Sequence, residues 1–522
     1  MSRTQLTKTA PTCTTNTGAA ANNVGGKTMH SMYGVNCNHP RNAVSDAQKK
    51  KLLRQLRRTL LLIMDERSMI SSALLGASAR NCSETALGGL NKDLSWGGIP
   101  IVVLVGDDHQ IPPVVKYGKG KGAIYIKSGR ESCVNANWGA GVESLGMAQF
   151  LELSDVVVKL DKVERQNESN TEHMSLLENL RPPNTLTEEQ IKRLMGLHIN
   201  NITDEKERDD IEWNAMHVYA YKNDARNYNL RCLINRSNDD NPVAIIKNKG
   251  KSKASNNGKA INSHFDREQT PMSTMMCRDS RVCIRGRNFM PEFGLYNGAM
   301  GTVVEIVYRD NESPNDNHQP LYVAVRFDNY TGPIWDPQDP KVVPIPIIEV
   351  TCQKEGKCCR MDVCPLTLSH ATTIHKFQGQ SVGPTREGQP NNAIQVIVCC
   401  PGDRKFEGTN PGLSYTLCSR PTTLGEEGKT NSAMYFIGNN INRDRFENIH
   451  LTREGRKYEL VEYREKWIAH LENRIKQYDI NEQEKLTLIN WASTEGNTYT
   501  EQQIDACIEA TTNKFEHIES TL

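Results

Sequence analysis

The sequence has no long apolar run, almost no excess of charge of either sign and no glycine-rich phosphate loop, and each absence narrows what it can be. No stretch approaches the roughly 18 apolar residues of a membrane span, and Met1 is not followed by a signal-peptide core, so a soluble intracellular chain without a membrane partner is expected. The formal net charge is +1, from 63 basic and 62 acidic residues. Any affinity for a phosphate backbone must therefore come from a local basic channel, not a global excess. Fifteen cysteines form no compact even framework, which points to a reducing compartment. Their tightest cluster, Cys352, Cys358, Cys359 and Cys364, lacks the paired C-x-x-C spacing of a zinc site and reads as buried or strand-edge thiols. At 522 residues the chain can hold two to four domains with sizeable cores.

What is present begins with LLIMDERSMI at 61–70 and GIPIVVLVGDDHQIPP at 98–113. Uninterrupted apolar runs of this length suit parallel strands covered on both faces, and ligands in such sheets sit at the carboxyl ends of the strands. One run ends in Asp65-Glu66, the other in Gly106-Asp107-Asp108-His109-Gln110. Adjacent acids there suit a nucleotide motor, one holding the water shell of magnesium and one polarising the attacking water. Alone, the pair reads equally well as two solvated carboxylates at a strand terminus. Two further apolar segments end in polar residues: LTLSHATTIHKFQGQ at 366–380 and LSYTLCSR at 413–420.

In this order, the four segments resemble motifs II, III, V and VI of superfamily-one helicases. Their DE-x-SM, GD-x-x-Q-x-PP, TIHK-x-QG and Y-x-x-x-SR patterns resemble the Pif-type (petite integration frequency) family, in the RecD-like branch. TGAAANNVGGKTMHS at 17–31 resembles that family's motif Ia, VERQ at 163–166 its motif IV, and GLYNGAMGTVVEIVY at 294–308 the strand pair opening its second-lobe insertion. The resemblance spans about residues 12–425. It implies an α/β fold of two RecA-like parallel-sheet P-loop NTPase lobes, the first incomplete, with a small SH3-like β insertion in the second. It also implies an ATP-dependent DNA helicase that uses ATP and Mg2+, moves 5′ to 3′ on single-stranded DNA and acts at forks. Work in repair, recombination and telomere maintenance, in the nucleus or mitochondrion of a eukaryote, and a monomeric state belong to the same expectation.

The resemblance also implies roles. Asp65 would hold magnesium through water, Glu66 would be the general base, and Gln110 would sense the γ-phosphate. Arg165 and Arg420 would reach the γ-phosphate from the second lobe, where a guanidinium fork suits the developing charge. Gln378 and Gly379 would lie beside the nucleotide. Thr17, Gly18, His30, Thr373, His375 and Lys376 would hold the DNA backbone, with Tyr33 and Phe377 as candidates to stack bases.

The phosphate loop GxxxxGK[ST] does not precede motif Ia. The near-match ANNVGGKT at 21–28 lacks the first glycine and stands too close to Asp65 to leave room for a motif Ia strand. The reading is that Met1 is an internal start or the gene model is truncated, with the loop upstream. A chain expressed without that strand is then expected to fold poorly and to show no stimulated ATPase, since neighbouring strands lose backbone partners. A catalytically inactive, perhaps transposon-derived fragment that at most binds nucleic acid is the alternative.

Along the chain, residues 1–155 would form the first lobe and 156–280 the start of the second, with a polar mobile loop at 236–275. Short alternating strands at 281–345 suggest a small barrel, the SH3-like insertion. Motifs V and VI complete the second lobe at 346–435, and 436–522 is a charged helical extension. There Leu460, Tyr463, Trp467, Ile468, Leu471 and Ile475 make an apolar stripe expected to dock on the core. KKKLLRQLRR at 49–58 reads as a solvated helix face before a nuclear-localisation signal. Arg67 and Asp108 depart from the family pattern, and an arginine beside Glu66 is expected to lower its basicity. Asn16 and Cys418 depart from it too.

Overall fold

The computed structural model describes residues 12–15, 18–23, 26–36, 42–56, 59–85, 93–113, 141–154, 156–160, 162–166, 170–252, 265, 271–312, 318–352, 359–385, 392–426 and 431–475. The chain divides into a large unit, residues 1–155 with 160–470, and a small one, 156–159 with 471–522. Everything that builds the candidate site lies in the large unit.

The first lobe is a parallel sheet of β1 (Thr12–Thr15), β2 (Lys27–Thr28), β3 (Leu61–Met64) and β4 (Ile101–Leu104), in the order β2-β1-β3-β4. The two apolar runs become β3 and β4 as expected, and Leu62 and Met64 are fully buried. β1 reads TCTT and carries no apolar pattern, yet Thr14 and Thr15 are fully buried between two partner strands. Backbone pairing on both sides holds it there, a contribution no hydropathy pattern records. Lys27 and Thr28 form the edge strand beside it, which agrees with the motif Ia reading of this segment. Among the described residues β4 pairs only with β3, and its Ile101 and Val103 are 48% and 39% exposed. The helices Ser72–Thr85 and Val142–Leu153 cross so closely that a Cβ at Gly76 would lie 1.8 Å from the Val142 carbonyl oxygen. In the helix Asp46–Leu56, Leu52 and Leu56 are buried while most of the lysines and arginines face solvent, which fits the solvated-face reading of the basic run.

The second lobe opens with β5 (Met216–Tyr219), buried at every residue. The chain then leaves for an antiparallel region: β6 (Ala244–Lys247), β7 (Lys249–Ser252), β8 (Ser273–Met276), β9 (Arg281–Ile284), β10 (Met300–Val307), β11 (Tyr322–Phe327), β12 (Val342–Pro346), β13 (Ile348–Thr351), β14 (Cys359–Val363) and β15 (Leu366–Leu368). The polar stretch 236–275 is thus not a mobile loop throughout. β6 pairs with β8, burying Ala244 and Ile246 against Met276, and the polar β7 is held by its ladder to β14. The expected barrel is also corrected. β12-β11-β10-β9-β15 is an open five-stranded sheet, and β13-β14-β7 is a separate three-stranded one. Its core of Val303, Val323, Val325, Phe327 and Leu366 is contributed by the alternate residues of the strands, so one packed face suffices without closure. Cys352, Cys359 and Cys364 are buried thiols, and Cys358 lies outside the described residues.

The lobe resumes with β16 (Ala371–Thr373), β17 (Ile397–Cys400) and β18 (Met434–Phe436), giving a second all-parallel sheet in the order β16-β5-β17-β18. After it comes the helix Glu459–Ile475, in which Trp467 and Leu471 of the expected stripe are buried. Val461, Arg464 and Trp467 are buried, and the Trp467 ring lies 4.9 Å from Phe150 of the first lobe. The side chains of Leu460 and Tyr463 lie outside the described residues.

Candidate functional site

β3 ends between β1 and β4, so the acid pair emerges from the interior of the sheet. The Asp65 amide donates to Thr14 O (2.8 Å), and the Arg67 amide to Val105 O (2.9 Å). Between them Glu66 takes a left-handed conformation, φ 57° and ψ 48°, unfavourable for any residue with a Cβ and stable only when neighbours over-determine it. Asp65 Oδ1 accepts the Glu66 amide at 2.7 Å, and Gln378 Nε2 donates to Glu66 Oε2 at 2.8 Å from the other lobe. The same Gln378 nitrogen reaches Ser68 Oγ at 3.1 Å. Gly379, at φ 86°, lets the chain pass so close that a Cβ there would sit 3.4 Å from Glu66 Oε1.

Two guanidinium groups complete this cluster. Arg420 is 1% exposed, and its Nε and Nη2 are held by Thr416 O (3.1 Å) and Ser419 Oγ (3.0 Å). Arg165 donates from Nε to Ser381 Oγ (2.9 Å) and from Nη1 to Ser419 O (3.0 Å). Burial pushes the Glu66 carboxyl above its ordinary value; Arg420 opposes this most, followed by the Gln378 hydrogen bond, while Asp65 adds to the rise and Arg165 reduces it. Arg165 is pushed down to about 9, chiefly by Arg420 and then by burial. A buried and a half-buried guanidinium that repel each other beside a carboxylate make a site that gains stability when an anion enters. Asp65, Glu66, Arg165, Gln378, Gly379 and Arg420 are therefore brought together.

Gln110 joins through the loop after β4. Its Nε2 lies 3.4 Å from Asp107 Oδ2, while its Oε1 is buried with no hydrogen-bond partner among the described residues. Residues outside the expected set grip this loop. Tyr415 Oη donates to Asp107 Oδ2 (2.7 Å), Thr416 Oγ1 accepts the Ile111 amide (3.2 Å), and Arg464 donates to His109 O (3.0 Å) and Gln110 O (2.8 Å). Tyr415 was visible in the Y-x-x-x-SR pattern; Arg464, beyond the last motif, had no signal. The expectation for Arg67 is corrected. Its guanidinium is committed to Asp108 Oδ2 at 2.6 Å, and the cations that stabilise the Glu66 charge are Arg420 and Arg165.

The nucleic-acid candidates are more dispersed. Thr17 and Asn16 lie outside the described residues. Gly18 packs against the inserted sheet, where a Cβ would meet Asn297 O at 2.4 Å. His30 is half-buried, and burial lowers its pKa. In motif V, Thr373 ends β16 and Lys376 is exposed; the His375 pKa is lowered by burial, against a hydrogen bond to Asn410 that raises it. Tyr33 and Phe377 do not stack bases. Both are core residues, 0% and 2% exposed.

Comparisons with known proteins bear on this geometry. The PIF1-like helicase family matches residues 3–182. "ATP-dependent DNA helicase PIF1" of Candida albicans is 37% identical over 106 residues, 20% of this chain, and the match spans only 11% of that relative's length. "ATP-dependent DNA helicase Pif1" of Bdellovibrio bacteriovorus is 25% identical over 376 residues, 70% of this chain and 69% of that one. The crystal structure of a Bacteroides Pif1 helicase in complex with ADP-AlF3 and ssDNA superposes with a TM-score of 0.56 at 20% identity, covering 89% of this chain and 90% of the other. The resemblance read from the motifs thus extends to the fold, two RecA-like lobes with an inserted β region.

Proposed function

We propose that this chain, similar to PIF1-like helicases along most of its length, is an ATP-dependent DNA helicase that couples hydrolysis to 5′ to 3′ movement on single-stranded DNA. The observation that carries the reading is the convergence of Glu66 from one lobe with Gln378, Arg420 and Arg165 from the other. Glu66 would take the proton of the attacking water, and Gln110 would orient that water. Arg165 and Arg420 would spread charge over the phosphoryl oxygens as the bridging bond breaks. Closing the lobes would then be linked to the chemistry, because each lobe supplies part of one site.

Asp65 fits a water-mediated contact to magnesium. Burial raises its carboxyl pKa, and a nearby cation would relieve that burden. The metal's chemistry would be neutralisation of the triphosphate. Gly18, His30, Thr373, His375 and Lys376, with Thr17, would hold the sugar-phosphate backbone in a salt-sensitive way. Roles at forks, in repair, recombination or telomere maintenance, a monomeric state, and a nuclear or mitochondrial site belong to the same proposal.

A second reading is a nucleic-acid-binding chain without catalysis, and one observation favours it: residues 1–522 contain no GxxxxGK[ST]. Phosphate release from purified 1–522, with and without single-stranded DNA, separates the two. DNA-stimulated turnover that disappears in Glu66→Gln supports the helicase. DNA binding without turnover supports the second reading.

A further inference from the structure

The two residues flanking the reactive groups that depart from the family pattern, Arg67 and Asp108, are bound to each other. Arg67 Nη2 meets Asp108 Oδ2 at 2.6 Å, with the side chains only 18% and 9% exposed. Arg67 directly follows Glu66 and starts the short 3-10 turn Arg67–Met69. Asp108 stands two residues before Gln110 in the loop after β4. The Arg67 backbone also lies against the start of this loop, since a Cβ at Gly106 would lie 2.6 Å from the Arg67 amide nitrogen. The left-handed backbone of Glu66 needs such restraint, because that conformation persists only where the surroundings enforce it.

We propose that the Arg67–Asp108 ion pair is a positioning brace that fixes Gln110 relative to Glu66, tying the residue after the proposed base to the loop that carries the proposed water-orienting amide. The inference rests on the hydrolase reading above. An ion pair suits the task because it is directional, and partial burial protects it from water and salt better than a surface pair. Its anion has a second neighbour. Asp108 also lies within electrostatic reach of the buried Arg464, which holds the carbonyls of His109 and Gln110. The loop is therefore fixed at its side chain by motif II and at its backbone by the carboxyl-terminal helix.

The test is a double-mutant cycle on the full chain with Arg67→Ala, Asp108→Ala and both together. It is read by kcat and KM for ATP at saturating single-stranded DNA and by the thermal unfolding midpoint. Misplacement of reacting groups lowers rate more than ground-state binding, so each single should lower kcat on the order of ten- to a hundredfold. KM should stay within about threefold. The double variant should fall no further than the worse single, the mark of two residues acting as one. Arg67→Lys should recover part of the rate, since an ammonium can reach the same carboxylate oxygen. Additive losses in an active wild type, or a lower unfolding midpoint with kcat unchanged, overturn the brace alone. A wild type without turnover overturns the hydrolase reading, and the brace with it.

Discussion

Tyr415 Oη donates to the Asp107 carboxylate at 2.7 Å, joining the helix Leu413–Cys418 of the second lobe to the loop after β4 in the first. Arg181 donates to the same hydroxyl at 2.8 Å and lies over the ring, 5.0 Å from its centroid. Burial favours the neutral form of Asp107, but the Tyr415 hydroxyl, His109 and Arg181 outweigh it and hold the carboxyl below its ordinary value. Tyr415→Phe removes that donor from a half-buried carboxylate, with an expected loss of about 1–3 kcal/mol. A depressed carboxyl contributes stability above its unfolded value and loses it as pH falls through the folded one. The difference between wild type and Tyr415→Phe, measured by urea denaturation, should therefore be full at neutral pH and shrink in acid. A difference that does not change with pH would remove Asp107 ionisation from the explanation.

Glu407 and Arg445 form a buried ion pair at 3.0 Å, each side chain 2% exposed. Glu407 also accepts the Ser414 amide through both oxygens, at 3.0 and 3.1 Å, and so satisfies the first turn of the helix that carries Tyr415 and leads to Arg420. Arg445→Met leaves an uncompensated charge and should cost about 3–5 kcal/mol. Glu407→Gln combined with Arg445→Met should recover much of that loss. Chemical denaturation of the three variants checks it, and a double variant as unstable as Arg445→Met would show that the lone charge is not the cause.

The helix pair beneath the first lobe predicts a sharp steric response. At Gly76 the nearest atom to a new methyl is the Val142 carbonyl oxygen, 1.8 Å away, a backbone atom that cannot rotate aside. Gly76→Ala should cost about 1–3 kcal/mol or more. The effect should appear as early unfolding of the first lobe in hydrogen exchange, whereas Gly196→Ala, where a Cβ would meet nothing within 4 Å, should not destabilise.

Much of the fold was legible where burial dictates composition. β3 and β4 could be read from LLIM and IVVL because continuous apolar runs suit parallel strands, even though Ile101 and Val103 of β4 stay exposed among the described residues. β1 and β7 could not, because TCTT and KGKS hold their places through backbone ladders that any sequence can make. The site was legible residue by residue, since its groups cluster at strand ends inside recognisable patterns. Its pairings were not. Arg67 and Asp108 each looked like an isolated departure, and only folding brings residues 41 positions apart into one ion pair. Tyr33 and Phe377 show the converse error, because an aromatic in a motif looks the same in sequence whether it faces a base or the core.

The balance of charge around Glu66 gives a pH-dependent prediction. Its carboxyl is raised by burial and drawn back chiefly by Arg420. A general base works only when deprotonated, so the acid limb of the kcat/KM profile should follow this group. Arg420→Ala removes the largest opposing charge; the carboxyl should rise further and the limb move to higher pH. Loss of a guanidinium proposed to meet the phosphoryl oxygens should also lower kcat on the order of a thousandfold. Arg420→Lys separates the two effects. It keeps a positive charge near Glu66 but not the planar fork, so the limb should stay near that of the wild type while kcat remains low. An acid limb that ignores Arg420→Ala would show that Glu66 is not the group whose proton governs the rate.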